Sequence, residues 1–589
     1  MATVGDFLLE RLRQWGVRRI FGYPGDGING IMAAFGRQQA VEFVQTRHEE
    51  MAAFMACGHA KFTGEVGVCL ATSGPGAIHL LNGLYDAKLD HQAVVAIVGQ
   101  QKRAALGAHY QQEVDLTTLF KDVAGEYVQM AASTGQVRHL VDRAVRIALS
   151  ERCVTCIILP NDLQEEDAVP CPPREHGYTF SGVGAASRAL VPPEDALRCA
   201  AAILNAGSKV AILAGAGAQG AHDELAEVAE LLGAGVAKAL LGKAVLADGL
   251  PFVTGSVGII GTRASNAMLQ DCDTLLMVGS SFPYAEFLPP EGQARAVQVD
   301  IDGRMLGLRY PMEANLQGDA KATLRALIPH LERKQDRSWR ERIEHDAAAS
   351  RRELLDKALE PATPVNPQRV FTELSPRLPD GVVLAGDSGS VAAWYALHLE
   401  VRPGMLASLS GTLATMGSAV PYALAAKLAH PDRPVIALAG DGAMQMTGIN
   451  GLMSVAWHWK QRGWTNPAFV VLVLNNRDLN FVTWEQRGMQ GEPKFQPSQQ
   501  LPDFSYAEYA RMLGLDGERV DDPEQLGAAW ERALACDKPF VLEAVVDPNI
   551  PPLPPQTVEQ QRRQYEEAIA KGDAEAGDVR RGADAQGGS

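Results

Sequence analysis

The segment Val435–Gly448, "VIALAGDGAMQMTG", places one aspartate, Asp441, between two glycines at the end of a short apolar run. Such a run reads as a buried parallel strand, and open α/β sheets hold their ligands at the carboxyl ends of these strands. An ionised carboxylate there suits a hard cation such as Mg²⁺, and Gly440 and Gly442 let backbone approach a bulky anion closely. Asp flanked by Gly is also ordinary turn chemistry, so this stretch alone leaves both readings open. A second polar cluster, Asn475 and Asn476, ends the next apolar run, "VVLVLNN". The two clusters together predict neighbouring strand ends, with Asp441, an Asn side-chain oxygen and one further oxygen around a cation shared with a diphosphate. In "AGDSGS", Ser388, Gly389 and Ser390 offer hydroxyl and backbone N–H donors to the same phosphates.

Strand ends of this kind need parallel sheets, and the chain supplies three groups of suitable runs separated by segments of helical period. The first holds "VGVCLATSG", "AVVAIVGQ" and "CVTCIILP"; the second "KVAILAGAG", "TLLMVGSS" and "RAVQVDID"; the third "GVVLAGDSG", "VIALAGDG" and "VVLVLNN". The expected fold class is therefore α/β, with three consecutive doubly wound parallel-sheet domains at 1–170, 190–332 and 367–550 and a charged, then Pro-rich, linker at 333–366. Residues 551–589 read as a solvated polar tail, and "KQRGWTN" as a surface loop. In the middle group, Gly215-x-Gly217-x-x-Gly220 follows a strand and precedes a helical pattern, but the acidic residue expected about twenty positions on is missing. A plain strand-to-helix turn and a nucleotide site both fit it.

The chain has 589 residues, 46% hydrophobic and 21% charged, enough for several cores. A formal charge of −16 with no basic run interleaved with aromatics argues against a nucleic-acid partner and for a small-molecule one. The amino terminus lacks a basic start followed by an apolar block, and no apolar run is long enough for a membrane anchor, so the expected location is cytoplasmic. Cys153 and Cys156 form C-x-x-C inside a β-branched run ending at Pro160, with no second such pair, which favours buried strand cysteines over redox or zinc work.

The pairing of Gly440-Asp441-Gly442 with Asn475-Asn476 resembles the hallmark of thiamine-diphosphate-dependent enzymes. "TRHEEMAAFMACGHAKFTG" and "SGPGAIHLLNGLYDAKLDHQAVVAIVGQ" are similar to the pyruvate oxidase and acetolactate synthase branch, and to bacterial pyruvate oxidases, including the quinone-reducing kind, most of all. The resemblance runs over nearly all of residues 1–550 and implies a pyrimidine-binding, an FAD-type and a diphosphate-binding domain in that order. It implies Mg²⁺ ligands at Asp441, Asn476 and an oxygen of Asp478, with Pro24, Gly25, Ser388, Gly389, Ser390, Gly440, Gly442 and Ala443 around the cofactor. Glu49 is implied to face the pyrimidine ring, where a carboxyl bonded to a ring nitrogen favours the imino tautomer that deprotonates the thiazolium carbon. "SGTLATMGSAVP" matches the segment whose apolar side chain wedges between the two cofactor rings, giving Met416 as the wedge and the Ala414 carbonyl as an acceptor.

For FAD the resemblance implies contacts at Gly215, Gly217, Thr262, Arg263, Ser281, Phe282, Asp300 and Asp319, and for the substrate Gln112 and Phe481. The implied reaction is decarboxylation of a 2-keto acid, pyruvate first, with electrons passing to FAD, in a homodimer or tetramer whose sites lie between subunits. Acetolactate synthase-like carboligation, or simple decarboxylation, is the rival; a carboligase usually carries a tryptophan shortly after the paired asparagines, and Trp484 stands near that place but out of register. Asn480 stands where relatives usually have glycine, the paired histidines of simple decarboxylases are represented only by His109, and the tail lacks the apolar face of a lipid-docking helix. A non-catalytic regulatory relative would have lost Glu49, Asp441 or Asn476, and all are present.

Overall fold

The computed structural model describes residues 2–186, 189–552 and 558–586. They form three six-stranded sheets with helices between the strands, as the three groups of apolar runs predict. The first sheet holds β1 (Arg19–Gly22), β2 (Glu42–Gln45), β3 (Gly67–Ala71), β4 (Val94–Gln100), β5 (Val128–Met130) and β6 (Val154–Pro160). The second holds β7 (Val210–Ala214), β8 (Gly235–Lys238), β9 (Val253–Ser256), β10 (Thr274–Val278), β11 (Arg295–Asp300) and β12 (Ala314–Gln317). The third holds β13 (Val383–Gly386), β14 (Leu406–Ser408), β15 (Val435–Gly440), β16 (Phe469–Asn475), β17 (Asp516–Val520) and β18 (Phe540–Val545). β4, β6 and β16 are buried at every position, as parallel strands covered by helices on both faces must be.

The strand orders carry information that composition does not. The first sheet runs β2-β1-β3-β4-β6-β5 and the third β14-β13-β15-β16-β18-β17, so the two domains share one topology. The central sheet runs β12-β11-β10-β7-β8-β9, which read from its other edge is the strand order of dinucleotide-binding folds. Helix Glu49–Thr63 of the first domain packs against helix Ala419–Ala429 of the third so closely that a Cβ on Gly58 would lie 3.0 Å from the Tyr422 Cα. The central domain is pinned to the third by buried charge. Lys238 Nζ lies 2.6 Å from Asp248, whose other oxygen accepts the Val401 N–H at 2.8 Å, while Lys243 Nζ donates to the Ala396 carbonyl at 3.0 Å.

Two expectations are corrected. Among the described residues after 550 the chain is not a solvated tail: helix Val558–Ala570 docks on helix Asn480–Gln490, and helix Ala576–Gln586 packs on Val558–Ala570. The turn between these helices is held by a buried cation, Arg487, whose guanidinium bonds Asp573 at 2.8 and 3.0 Å and Glu575 at 2.8 Å. Tyr565 meets Trp484 edge-on at 5.4 Å, so a few apolar residues suffice to complete the contact. Nor is "KQRGWTN" wholly a surface loop, since its helix continues to Arg462 and Trp464 turns in against Trp459 and Phe469. Cys156 is buried in β6 and Cys153 lies just before it; both are free thiols that burial pushes up, Cys153 to about 12. Among the described residues no helix is long and apolar enough to cross a membrane.

Candidate active site

The carboxyl ends of the third sheet meet the central domain in one cavity of about 870 Å³. Asp441, Asn476, Asp478, Gly440, Gly442 and Ala443 line it, as do Ser388, Gly389, Ser390, Ala414, Met416 and Phe481. Asp441 begins a helical turn directly after β15 and accepts the Arg477 N–H at 2.6 Å and the Gly442 N–H at 2.9 Å. Burial, with the Asp478 carboxylate nearby, pushes its carboxyl up to about 7. Among the described residues the hydrogen bonds to this buried acid come from backbone N–H groups, and an acid so placed is one that a cation would stabilise. Asn476 Oδ1 accepts the Asp478 N–H at 3.0 Å, while the Asp478 carboxylate faces Lys494 Nζ at 3.0 Å and Asn480 Nδ2 at 3.4 Å. Asp441, Asn476 and an oxygen of Asp478 make an all-oxygen donor set that fits Mg²⁺.

Glycine placement gives an independent test of fit. Gly440 has an ordinary φ of −86°, and a Cβ there would meet no protein atom within 4 Å, so neither conformation nor packing calls for glycine. A ligand lying against the backbone does. Gly389, at φ +87°, likewise faces open space beside Ser388, whose buried Oγ has no partner. Gly442 is different: a Cβ would lie 2.8 Å from the Met416 methyl, so this glycine makes room for the wedge candidate. Ala414 adopts φ +53°, a left-handed conformation costing a non-glycine residue about 1–2 kcal/mol.

On the central side the cavity is lined by Gly215, Gly217, Ser281, Phe282, Asp300 and Asp319. Gly215 and Gly217 are fixed by packing, since a Cβ on Gly215 would lie 2.4 Å from the Gly279 carbonyl oxygen and one on Gly217 2.7 Å from the Gly279 Cα. The end of β8, where dinucleotide folds carry an acid, carries Lys238, neutralised by Asp248. The cavity also runs over the ends of β10, β11 and β12, where burial raises the Asp300 carboxyl. Two predicted contacts fall outside the cavity. Thr262 caps helix Arg263–Asp271, accepting the Ser265 N–H at 3.1 Å and donating to the Thr254 carbonyl, and Arg263 points to Glu353 at 3.1 Å. Both are taken up by helix capping and linker packing.

The first domain assembles its own cluster. Glu49 opens helix Glu49–Thr63, is 8% exposed, and has Oε2 3.0 Å from His79 Nδ1. A Cβ on Gly76 would lie 3.2 Å from Glu49 Oε1; one on Gly74 would lie 2.9 Å from the carbonyl oxygen of Gln112, itself at φ +60°. Pro24 and Gly25 follow β1, with Gly25 tight against Thr72. None of Pro24, Gly25, Glu49 or Gln112 lines the large cavity. Within one chain the predicted residues thus form two half-sites at the carboxyl ends of two sheets of the same topology.

Sequence reasoning missed Glu485, which lines the cavity one turn beyond Phe481 and whose carboxyl is raised by burial. Its signal was available as the i, i+4 spacing from Phe481 on one helix. It also missed Asp90 and His91, which reach the cavity from the first domain through tertiary packing alone.

Comparison with known proteins agrees with this arrangement. Residues 2–119 match the family described as thiamine pyrophosphate enzyme, N-terminal TPP binding domain; residues 197–327 match its central domain, and residues 387–544 its C-terminal TPP binding domain. The chain is 35% identical to the "Putative thiamine pyrophosphate-containing protein YdaP" of Bacillus subtilis, over 97% of this chain and 96% of that protein. It is 30% identical to the acetolactate synthase isozyme 2 large subunit of Escherichia coli, over 93% of this chain and 97% of that one. It is 28% identical to the pyruvate oxidase of Lactiplantibacillus plantarum, over 93% and 89% respectively. With all three domains matched in order and near-complete coverage by these relatives, the chain belongs to the thiamine pyrophosphate enzymes.

Proposed function

We propose that this enzyme decarboxylates a 2-keto acid, pyruvate first, using thiamine diphosphate and Mg²⁺, and passes the electrons released to FAD. The observation that carries the reading is the single cavity. It joins the metal and diphosphate candidates of the third domain to the open strand ends of the central domain, so two cofactors would lie within reach of each other. When bound, thiamine diphosphate supplies the carbon nucleophile for the keto carbonyl and holds the electron pair left as CO₂ departs, and FAD supplies the acceptor for that pair.

The chain's own groups divide the remaining work. Asp441, Asn476 and an oxygen of Asp478 would hold Mg²⁺, with Ser388, Gly389, Ser390 and the Gly440–Ala443 turn on the diphosphate and Met416 and the Ala414 carbonyl on the rings. Phe481 and Val482 exclude water from the substrate side, and Glu485 offers a proton there. Glu49 and Gln112 would come from a second copy, because each chain holds them away from its own cavity; a homodimer is the least assembly that completes the site.

Carboligation, the activity named for the Escherichia coli relative, is the second reading. Against it, Trp484 is fully buried, donates Nε1–H to the Pro548 carbonyl at 2.9 Å and stands outside the cavity, where it selects no acceptor. The purified protein mixed anaerobically with pyruvate tests the choice. Loss of the yellow flavin colour is expected; acetolactate without bleaching would make it a carboligase, and neither product nor bleaching would make it a regulatory relative.

A further inference from the structure

The loop from Leu409 to Ser418 carries both the Ala414 carbonyl and the Met416 side chain, and it contains a strained residue, so something must hold its shape. Two buried carboxylates do so from opposite sides. Asp90, from the first domain, accepts the N–H groups of Gly411 at 2.9 Å and Thr412 at 2.8 Å, while its partner Lys61 donates to the Leu409 carbonyl at 2.5 Å. Asp387, at the end of β13, accepts Gly417 N–H at 2.8 Å and Ser388 N–H at 2.9 Å on one oxygen and Ala419 N–H at 3.0 Å on the other. Thr447 adds a third tie, donating to the Gly417 carbonyl at 2.6 Å from a π-helical turn just after Asp441.

Asp387 is the odd member of this set. Asp90 has a lysine; Asp387 is buried and accepts from backbone N–H groups, and burial pushes it up to about 6. A neutral side chain would be less costly there if packing alone mattered. What only a carboxylate supplies is acceptors on both oxygens, so one group can bind the phosphate-side turn at Ser388 and the wedge loop at Gly417 and Ala419 together.

We propose that Asp387 is a positioning residue that sets the height of the Met416 wedge relative to the diphosphate turn. The role of Met416 rests on the thiamine-diphosphate reading above; the tethering of the loop does not. Asp387→Asn keeps the shape but turns one acceptor into a donor facing an N–H. In the cofactor-free protein, the amides of Gly417 and Ala419 in this variant are expected to exchange with solvent deuterium about tenfold faster or more. In the loaded protein, thiamine diphosphate is expected to bind within about threefold of the parent, while deuterium exchange at the thiazolium carbon slows about tenfold or more, because ring geometry and not anchoring is lost. Adding Met416→Ala to Asp387→Asn is expected to cost no more than Met416→Ala alone.

Parent-like amide exchange, parent-like exchange at the thiazolium carbon or additive losses would each overturn the proposal. Should Asp387→Asn fail to fold, Thr447→Val, which releases the same loop from its carbonyl side, is expected to show the same pattern more weakly, and an unchanged exchange rate there overturns it. A parent protein that binds no thiamine diphosphate would sink the functional reading, with the amide exchange still deciding the tether.

Discussion

The first and third domains have the same strand order and opposite chemistry. After β2 the chain turns into helix Glu49–Thr63 and presents an acid at its start; after β14 it makes the Leu409–Ser418 loop and presents a methionine before the equivalent helix. After β3 it reads Thr72-Ser73-Gly74, and after β15 Asp441-Gly442-Ala443; after β4 comes Gln101, and after β16 Asn476. One topology therefore offers the same strand-end positions twice. It specifies where a ligand can sit, and the side chains decide what chemistry each half offers. The two helices that follow pack against each other within one chain.

The largest expected effect comes from breaking each half separately. Glu49→Gln is expected to keep the cofactor and lose about 10²–10⁴ in kcat, and Asp441→Ala to lose metal-dependent cofactor retention. Co-expression of the two variants sharpens the contrast, since a mixed dimer contains one site with both residues intact. Activity that does not return in mixed dimers would confine the site to a single chain.

Each of these two domains also holds the segment that follows it with a buried arginine: Arg11 with Asp142 ties down Ser181 after the first, and Arg487 ties down the turn at Asp573 and Glu575 after the third. Arg487, 1% exposed, binds Asp573 and Glu575, and removing one partner of a buried pair costs about 3–5 kcal/mol. Arg487→Met is therefore expected to free the carboxy-terminal helices for proteolysis; a variant cut no faster than the parent would show that Tyr565 and Val579 hold them unaided.

A smaller, pH-dependent difference follows from Asp441. Its carboxyl rises from 3.8 to about 7 on folding, so between those values the metal-free folded state binds the extra proton and stability falls as pH rises, by on the order of 4 kcal/mol at the limit. Asp387, raised to about 6, acts in the same direction. Melting of the metal-free protein across this range is expected to slope downward, and Asp441→Asn to flatten the slope; an Asn variant with the parent slope would assign it elsewhere. The least disruptive change is Gly440→Ala, expected to leave melting within about 0.5 kcal/mol while weakening thiamine diphosphate about tenfold. Unchanged affinity would mean that no ligand lies against that backbone.

The paired signals at Asp441 and Asn476 were legible because strand burial and a polar strand end are local patterns that a short window contains. Thr262 and Arg263 stand outside the cavity, and their use was not legible because a helix cap and a linker ion pair look, in sequence, like any polar pair after a glycine. The carboxy-terminal helices were missed because the acids of the turn between them are satisfied by Arg487, nearly ninety positions earlier, which no local composition reveals.

By itself the sequence determined three parallel-sheet domains and the polar groups that stand at their strand ends, since buried runs and the groups that follow them are written in contiguous residues. Tertiary structure alone decided that first and third domains are topological twins, that Glu49 and Asp441 stand in separate half-sites, and that Asp90 and Asp387 hold one loop between them. Those facts depend on hydrogen bonds and packing between segments tens to hundreds of residues apart, whose partners become neighbours only when the helices and sheets close on one another.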